Sequence, residues 1–271
     1  MKKITLLTFL FTALIFSSCK QNTDNKEEKT EDKTKETESV MDTIITLEPL
    51  AMKSPEFAES KLSHPGGETI EVEAGEVDFD FEVENYELGV QTENAGKNGL
   101  ANSGKGQHIH FILDNGPYSA HYEPEFSKEI LEGDHVLLAF LSRSYHESVK
   151  NPNSFIVKKI RAGEPSDDQK MDVDFSAEHL FYSRPKGTYK GKDTEKVLLD
   201  FFLLNTEIAQ DGNKVKVKVN NQEFLVDQWI PHVIENMPMG ENKIELTLVD
   251  ENLEPIKGPF NHVTRTVTLE E

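Results

Sequence analysis

Residues 77–88 read V-D-F-D-F-E-V-E-N-Y-E-L, and residues 197–208 read V-L-L-D-F-F-L-L-N-T-E-I. At this constant offset of 120, Asp80 lies over Asp200, Phe81 over Phe201, Asn85 over Asn205 and Glu87 over Glu207. Ser63 and Pro65 fall over Ser183 and Pro185 in the same frame. Further along the offset shortens to 106 or 107. H-I-H-F-I-L-D-N (108–115) then lies over K-V-K-V-K-V-N-N (214–221), with Pro124 over Pro231, Gly133 over Gly240 and Pro152 over Pro259. A unit repeated once in tandem sets the architecture of the chain.

Within each unit the apolar residues alternate. Phe79, Phe81 and Val83 are interleaved with Asp78, Asp80, Glu82 and Glu84, and Ile109, Phe111 and Leu113 with His108 and His110. Period-two alternation with a polar side predicts half-buried antiparallel strands. Val215, Val217 and Val219 repeat the pattern, as do Ile244, Leu246 and Leu248. Leu137, Ala139 and Leu141 alternate with residues that are themselves apolar, which predicts a more deeply buried strand. Turn signals fall between the runs at Asn115-Gly116-Pro117, Glu132-Gly133-Asp134, Asp211-Gly212-Asn213 and Met239-Gly240-Glu241. Five to seven short strands in each copy of about 90–100 residues predict an all-β protein. The expected fold is two tandem immunoglobulin-like β-sandwich domains, over 44–165 and 166–271, with one larger jelly-roll as the alternative. Residues 44–52 (I-I-T-L-E-P-L-A-M) are expected to form a short strand or a hook onto the first domain. Leu198, Phe202 and Leu204 stand where the first copy has Asp78, Glu82 and Glu84, so that strand is predicted to be covered on both faces, by packing between the domains.

The N-terminus predicts where the chain resides. Lys2 and Lys3 precede an apolar run from Ile4 to Phe16 that is too short for a permanent membrane span and ends in I-F-S-S-C. Small residues before Cys19, the sole cysteine, have the form of a bacterial lipoprotein signal. This predicts a signal peptide over 1–18, lipidation (palmitate) at Cys19, and attachment to the membrane by lipid alone. Acylation of Cys19 leaves no thiol for disulfides, metal ligation or nucleophilic catalysis. Residues 19–43, almost devoid of apolar side chains, are expected to be a disordered tether with a reach of about 25–35 Å. The chain carries 49 acidic against 29 basic residues, a formal net charge of −20, which disfavours nucleic acid as a partner.

Candidate functional residues concentrate in the first copy. Five of the nine histidines, His108, His110, His121, His135 and His146, lie between 108 and 146. Two histidines two apart on a strand project from one face, which is half of a Zn2+ or Cu2+ site, with the third ligand to come from His121, His135 or His146. The plainer reading is a solvated polar face, because Lys214 and Lys216 hold the matching places in the second copy. A glycine-rich loop over 93–106, containing Asn98 and Asn102, is replaced by a tight turn in the second copy and is expected at one end of the sandwich, where recognition residues collect. Tyr122 and Trp229, each two residues before a proline, are candidate stacking surfaces for a glycan, although aromatics beside proline at matching places in two copies are more often corners of the core. No G-x-S-x-G, H-E-x-x-H or nucleotide-binding fingerprint occurs. No catalytic residue is therefore assigned, and the chain is not expected to be an enzyme.

The stretch H-L-F-Y-S-R-P-K-G-T-Y-K-G-K-D-T-E-K-V-L-L-D-F-F-L-L-N-T (179–206), together with P-H-V-I-E-N-M-P-M-G-E-N (231–242), resembles a family of Bacteroidota envelope lipoproteins. Members are often called phosphopeptide-binding proteins, and the resemblance covers most of residues 50–271. It implies an outer-membrane lipoprotein, periplasmic or surface-facing, and transfers no catalytic residue. Phosphopeptide recognition uses clustered arginines, whereas Arg143, Arg161, Arg184 and Arg265 are the only arginines and none adjoins another. The leading expectation is a lipid-anchored binding or scaffold protein that recognises an envelope protein, peptide or glycan and needs no cofactor. The competing one is a Cu or Zn protein using the histidines of the first copy.

Overall fold

The computed structural model describes residues 44–271; the signal segment, Cys19 and the whole of the expected tether lie outside them. The described chain is all-β. Its two units match strand for strand. In the first, β2 (Lys61–Ser63), β3 (Thr69–Val72), β4 (Gly75–Asp80), β5 (Glu82–Glu84), β6 (His108–Leu113), β7 (Ser119–His121), β8 (Glu125–Ile130), β9 (Gly133–Ser142) and β10 (Phe155–Ala162) follow in order. In the second, β11 (His179–Arg184), β12 (Gly187–Lys190), β13 (Lys196–Leu204), β14 (Lys214–Val219), β15 (Gln222–Val226), β16 (His232–Glu235), β17 (Gly240–Val249) and β18 (His262–Glu270) repeat them, with β13 standing for β4 and β5 together. One sheet of each unit has the same order, β3-β10-β9-β6-β7 and β12-β18-β17-β14-β15. In both, the first strand of that order joins in parallel while the others are antiparallel. Even the backbone specials are shared: Asn85 and Asn205 both take φ 54°.

Alternation places the cores. Phe79, Phe81, Ile109, Phe111, Leu137, Ala139 and Leu141 fill the first sandwich between its five-stranded sheet and the β4–β8 and β2–β5 pairs. Leu199, Phe201, Val215, Val217, Ile244, Leu246 and Leu248 fill the second. The strand at 44–52 is β1 (Thr46–Pro49). It pairs with β16 in the second sandwich, not with the first domain to which sequence order assigned it.

A third apolar cluster joins the two units. Ile112, Val136, Leu138 and Phe140, from the outer face of the first five-stranded sheet, pack against Phe181 and Phe202 of the second unit. Phe140 and Phe202 stack with centroids 5.2 Å apart. This is the cover that apolar residues on both faces of 197–204 required; Leu198 is buried beside Leu100 and Tyr145 in the same way. Polar bonds fix the joint. The Asn115 side chain donates to the carbonyls of Leu180 and Phe260 and accepts from the Tyr182 amide. Arg265 donates to the carbonyls of Ser183, Asn115 and Gly116. The two units use unlike faces: β6 and β9 of the first meet β11 and β13 of the second.

Candidate metal centre

That joint changes the setting of the H-x-H pair. His108 and His110 leave β6 on the face turned to the second unit, and both are wholly buried. The expectation of a solvated face, drawn from Lys214 and Lys216, therefore fails. Those lysines sit on the equivalent face of the second unit and remain partly exposed among the described residues. Burial first, opposed by the Gly106 carbonyl and aided by Arg184, His121 and Lys186, lowers the His108 imidazole to about 4. His110 and His146 are likewise held well below the ordinary histidine range, by burial first and then by the neighbouring histidines and the cations Arg184 and Lys186. All three rings are neutral at pH 7, the form that ligates a metal.

Register selects the third member. Ile109 pairs with His121 across β6 and β7, so His121 shares the core face of Ile109 and is turned away from His108 and His110. It stacks on Phe126 at 3.4 Å and bonds Ser119. His135 begins β9 on the core-side parity, and its ring is held between the Asp114 carboxylate at 2.6 Å and the Leu131 carbonyl. Neither joins the pair, which corrects their place among the candidate ligands. His146 does join it. The turn after β9 returns it to the His108 end of the sheet, where Ser142 is the partner of His108. Its left-handed φ of 71° matches that of Leu253, 65°, at the same place in the second unit, so this backbone belongs to the fold and not to the site.

The nitrogens converge. His108 Nε2 lies 2.9 Å from His110 Nε2 and 3.2 Å from His146 Nδ1, and all three fall within 4.8 Å of one another. The outer nitrogen fixes the tautomer of His108. His108 Nδ1 donates to the Gly106 carbonyl at 2.8 Å, which leaves the Nε2 lone pair facing inward. His110 Nδ1 meets the Ser183 hydroxyl at 3.2 Å. A hydroxyl can donate or accept. With the His110 proton on Nε2, that ring donates to His108; with it on Nδ1, Ser183 accepts and three lone pairs face one point. Ligand nitrogens about 2.0–2.1 Å from a common ion stand roughly 3.3–3.5 Å apart, so the triad needs only small adjustments to close on one.

The glycine-rich loop is a wall of this centre. Gly106 has φ +90°, and a Cβ there would run into the Val90 carbonyl, so the backbone that orients His108 requires glycine. Ser103 and Thr92 tie the loop to Ser144 in the turn that carries His146. Tyr118 stacks on His110 at 3.5 Å, and its hydroxyl lies 3.2 Å from His146 Nδ1. Tyr122 packs beside His108 at 5.1 Å and bonds Ser103. The other proposed contact residues are elsewhere or internally engaged. Asn98 is buried with its oxygen on the Leu100 amide, Asn102 bonds Gln91, and Trp229 sets its edge on Phe202 and lines a surface groove with Lys150 and Phe155. The four form no common surface. Ser183, Arg184 and Gly106 are not among the residues the sequence marks as candidates; the repeat sets Ser63 and Pro65 over Ser183 and Pro185 without pointing to a site.

No protein-family model matches the chain, and no curated protein matches it. Several solved structures resemble it at low similarity. Fibronectin(III)-like modules of Clostridium thermocellum CbhA are 12% identical, with a TM-score of 0.27, over 78% of this chain and 94% of theirs. A Bacteroides ovatus protein, SGBP-B of a mixed-linkage glucan utilization locus, is 9% identical at a TM-score of 0.24, over 83% and 70%. A two-domain fibronectin type III segment of chicken tenascin is 8% identical at 0.20, over 77% and 97%. Scores this low support no inference about ligand or activity.

Proposed function

We propose that the protein is a binding protein whose ligand is a transition-metal ion, copper or zinc, held by His108 Nε2, His110 Nε2 and His146 Nδ1. The observation that carries this reading is the convergence of three imidazoles on one point, with the outer nitrogens of His108 and His110 already engaged. Dispersed histidines would have favoured the scaffold reading. Titration of the purified chain with Zn2+ and with copper should give one equivalent of tight binding. His108→Ala/His110→Ala should abolish it, while His121→Ala and His135→Ala should leave it intact. Absence of stoichiometric binding, or binding indifferent to the first pair of substitutions, overturns the reading. We place the metal protein in the cell envelope, tethered through Cys19, on the strength of its N-terminal sequence. A Cys19→Ser chain should leave the membrane fraction; persistence there would refute the anchor.

A further inference from the structure

The surroundings of the triad carry charge of one sign. Arg184, only 8% exposed, has no carboxylate partner among the described residues: one guanidinium nitrogen donates to the Tyr189 hydroxyl, and Nε has no hydrogen-bond partner among them. Lys186 places its ammonium 4.1 Å from the centre of the Tyr118 ring and donates to the Tyr118 carbonyl. His110 stacks on that same ring at 3.5 Å, so cation and imidazole occupy opposite faces. The ammonium is therefore no more than about 8 Å from the His110 ring. No aspartate, glutamate or cysteine belongs to the ligand cluster among the described residues. Glu147, next in sequence to His146, is taken up by Arg143 at 3.1 Å and by the Ser54 hydroxyl.

An ion entering this centre meets two cations, while the carboxylates nearby in the fold, Glu147 and Asp200, are each already paired, with Arg143 and Lys150. The repulsion grows in proportion to the charge on the ion, so a divalent ion suffers twice what a monovalent one does. The donor count bears on the choice through the fourth ligand: three nitrogens converge, and Zn2+ needs a fourth ligand such as water, whereas Cu+ does not. The Tyr118 hydroxyl, 3.2 Å from His146 Nδ1, is a phenol and so a poor metal ligand. Cuprous copper has a closed d shell, a single charge and no need of a fourth donor.

Resting on the metal reading above, we propose that the ion this centre selects is Cu+, and that Arg184 and Lys186 impose the selection by charge. Arg184 is too deeply packed to remove without risk to the fold, so the test uses Lys186, which is half-buried. The full chain is titrated with Cu+ supplied anaerobically against a chromophoric chelator, and separately with Zn2+, as wild type and as Lys186→Gln. A melting curve first shows that the variant is folded. Wild type should bind Cu+ at least about 100-fold more tightly than Zn2+. Because repulsion scales with ionic charge, the Zn2+ gain on removing Lys186 should be the square of the Cu+ gain: about tenfold where Cu+ gains about threefold. Equal gains for the two ions, or Zn2+ bound as tightly as Cu+ in the wild type, overturn the selection and leave the metal centre standing. Failure of both ions to bind removes the metal centre itself, and the selection with it.

Discussion

His110 and Lys216 occupy one position of the repeated unit, and what separates them is what each faces. Lys216 looks out of a sheet face that is partly exposed among the described residues, where a solvated ammonium costs nothing. His110 looks into a joint between sandwiches, where only a group able to stay neutral and hydrogen-bonded is tolerated. Asp134 shows the converse, a buried charge kept because it is paired. Arg161 bonds its carboxylate at 2.8 Å, Lys159 lies at 2.7 Å, and the Met171 amide donates to it. The Arg161 bond first, then Lys159 and that amide, hold the acid far below the ordinary carboxylate range despite burial. A depressed folded-state pKa gives stability that is complete above the unfolded value, about 3.9, and is lost as pH falls through the folded value. Asp134→Asn should therefore cost about 2–3 kcal/mol at pH 7, the partial exposure of Arg161 holding the figure down. The gap to wild type should narrow between about pH 5 and pH 2 in urea titrations. A gap of constant size across that range would show that the carboxylate's charge is not what stabilises.

Strands were the easiest elements to read. Alternation at 77–83, 108–113, 215–219 and 244–248 located β4, β5, β6, β14 and β17, because a side chain's face follows directly from its parity. The site was half legible for the same reason. Parity put His108 and His110 on one face, but choosing among three candidate partners needed the register between β6, β7 and β9, which no single strand encodes. A pairing shifted by one residue would have turned His121 toward the pair. The outer-nitrogen partners were further out of reach. Gly106 acts through a backbone carbonyl at positive φ, and Ser183 comes from the other repeat, 73 residues away. The wrong partner for β1 has a similar origin. Proximity along the chain suggested the first sandwich, whereas the open edge beside β16 offered unpaired backbone groups to residues 46–49.

As a whole the described chain is two sandwiches sharing a third core, and Phe202 is its centre, stacked on Phe140 and set against Phe155 and the edge of Trp229. Phe202→Ala should cost about 3–5 kcal/mol, charged mainly to the joint and not to either sandwich. Calorimetry should then resolve one unfolding transition into two; a single transition at lowered Tm would mean the units never fold separately. The joint has a further consequence, which lies in its lack of symmetry. Contacts between unlike faces of similar units do not close on themselves, and in principle each free end could accept another unit. The free ends forbid it. The β4–β5 face of the first sandwich exposes Asp78, Asp80, Glu82 and Glu84 where the second carries Leu198, Phe202 and Leu204, and the β14 face of the second carries Lys214, Lys216 and Lys218 where the first carries His108, His110 and Ile112. Within the described chain the two sandwiches are stacked with a charged face at either end, which opposes the addition of a further unit.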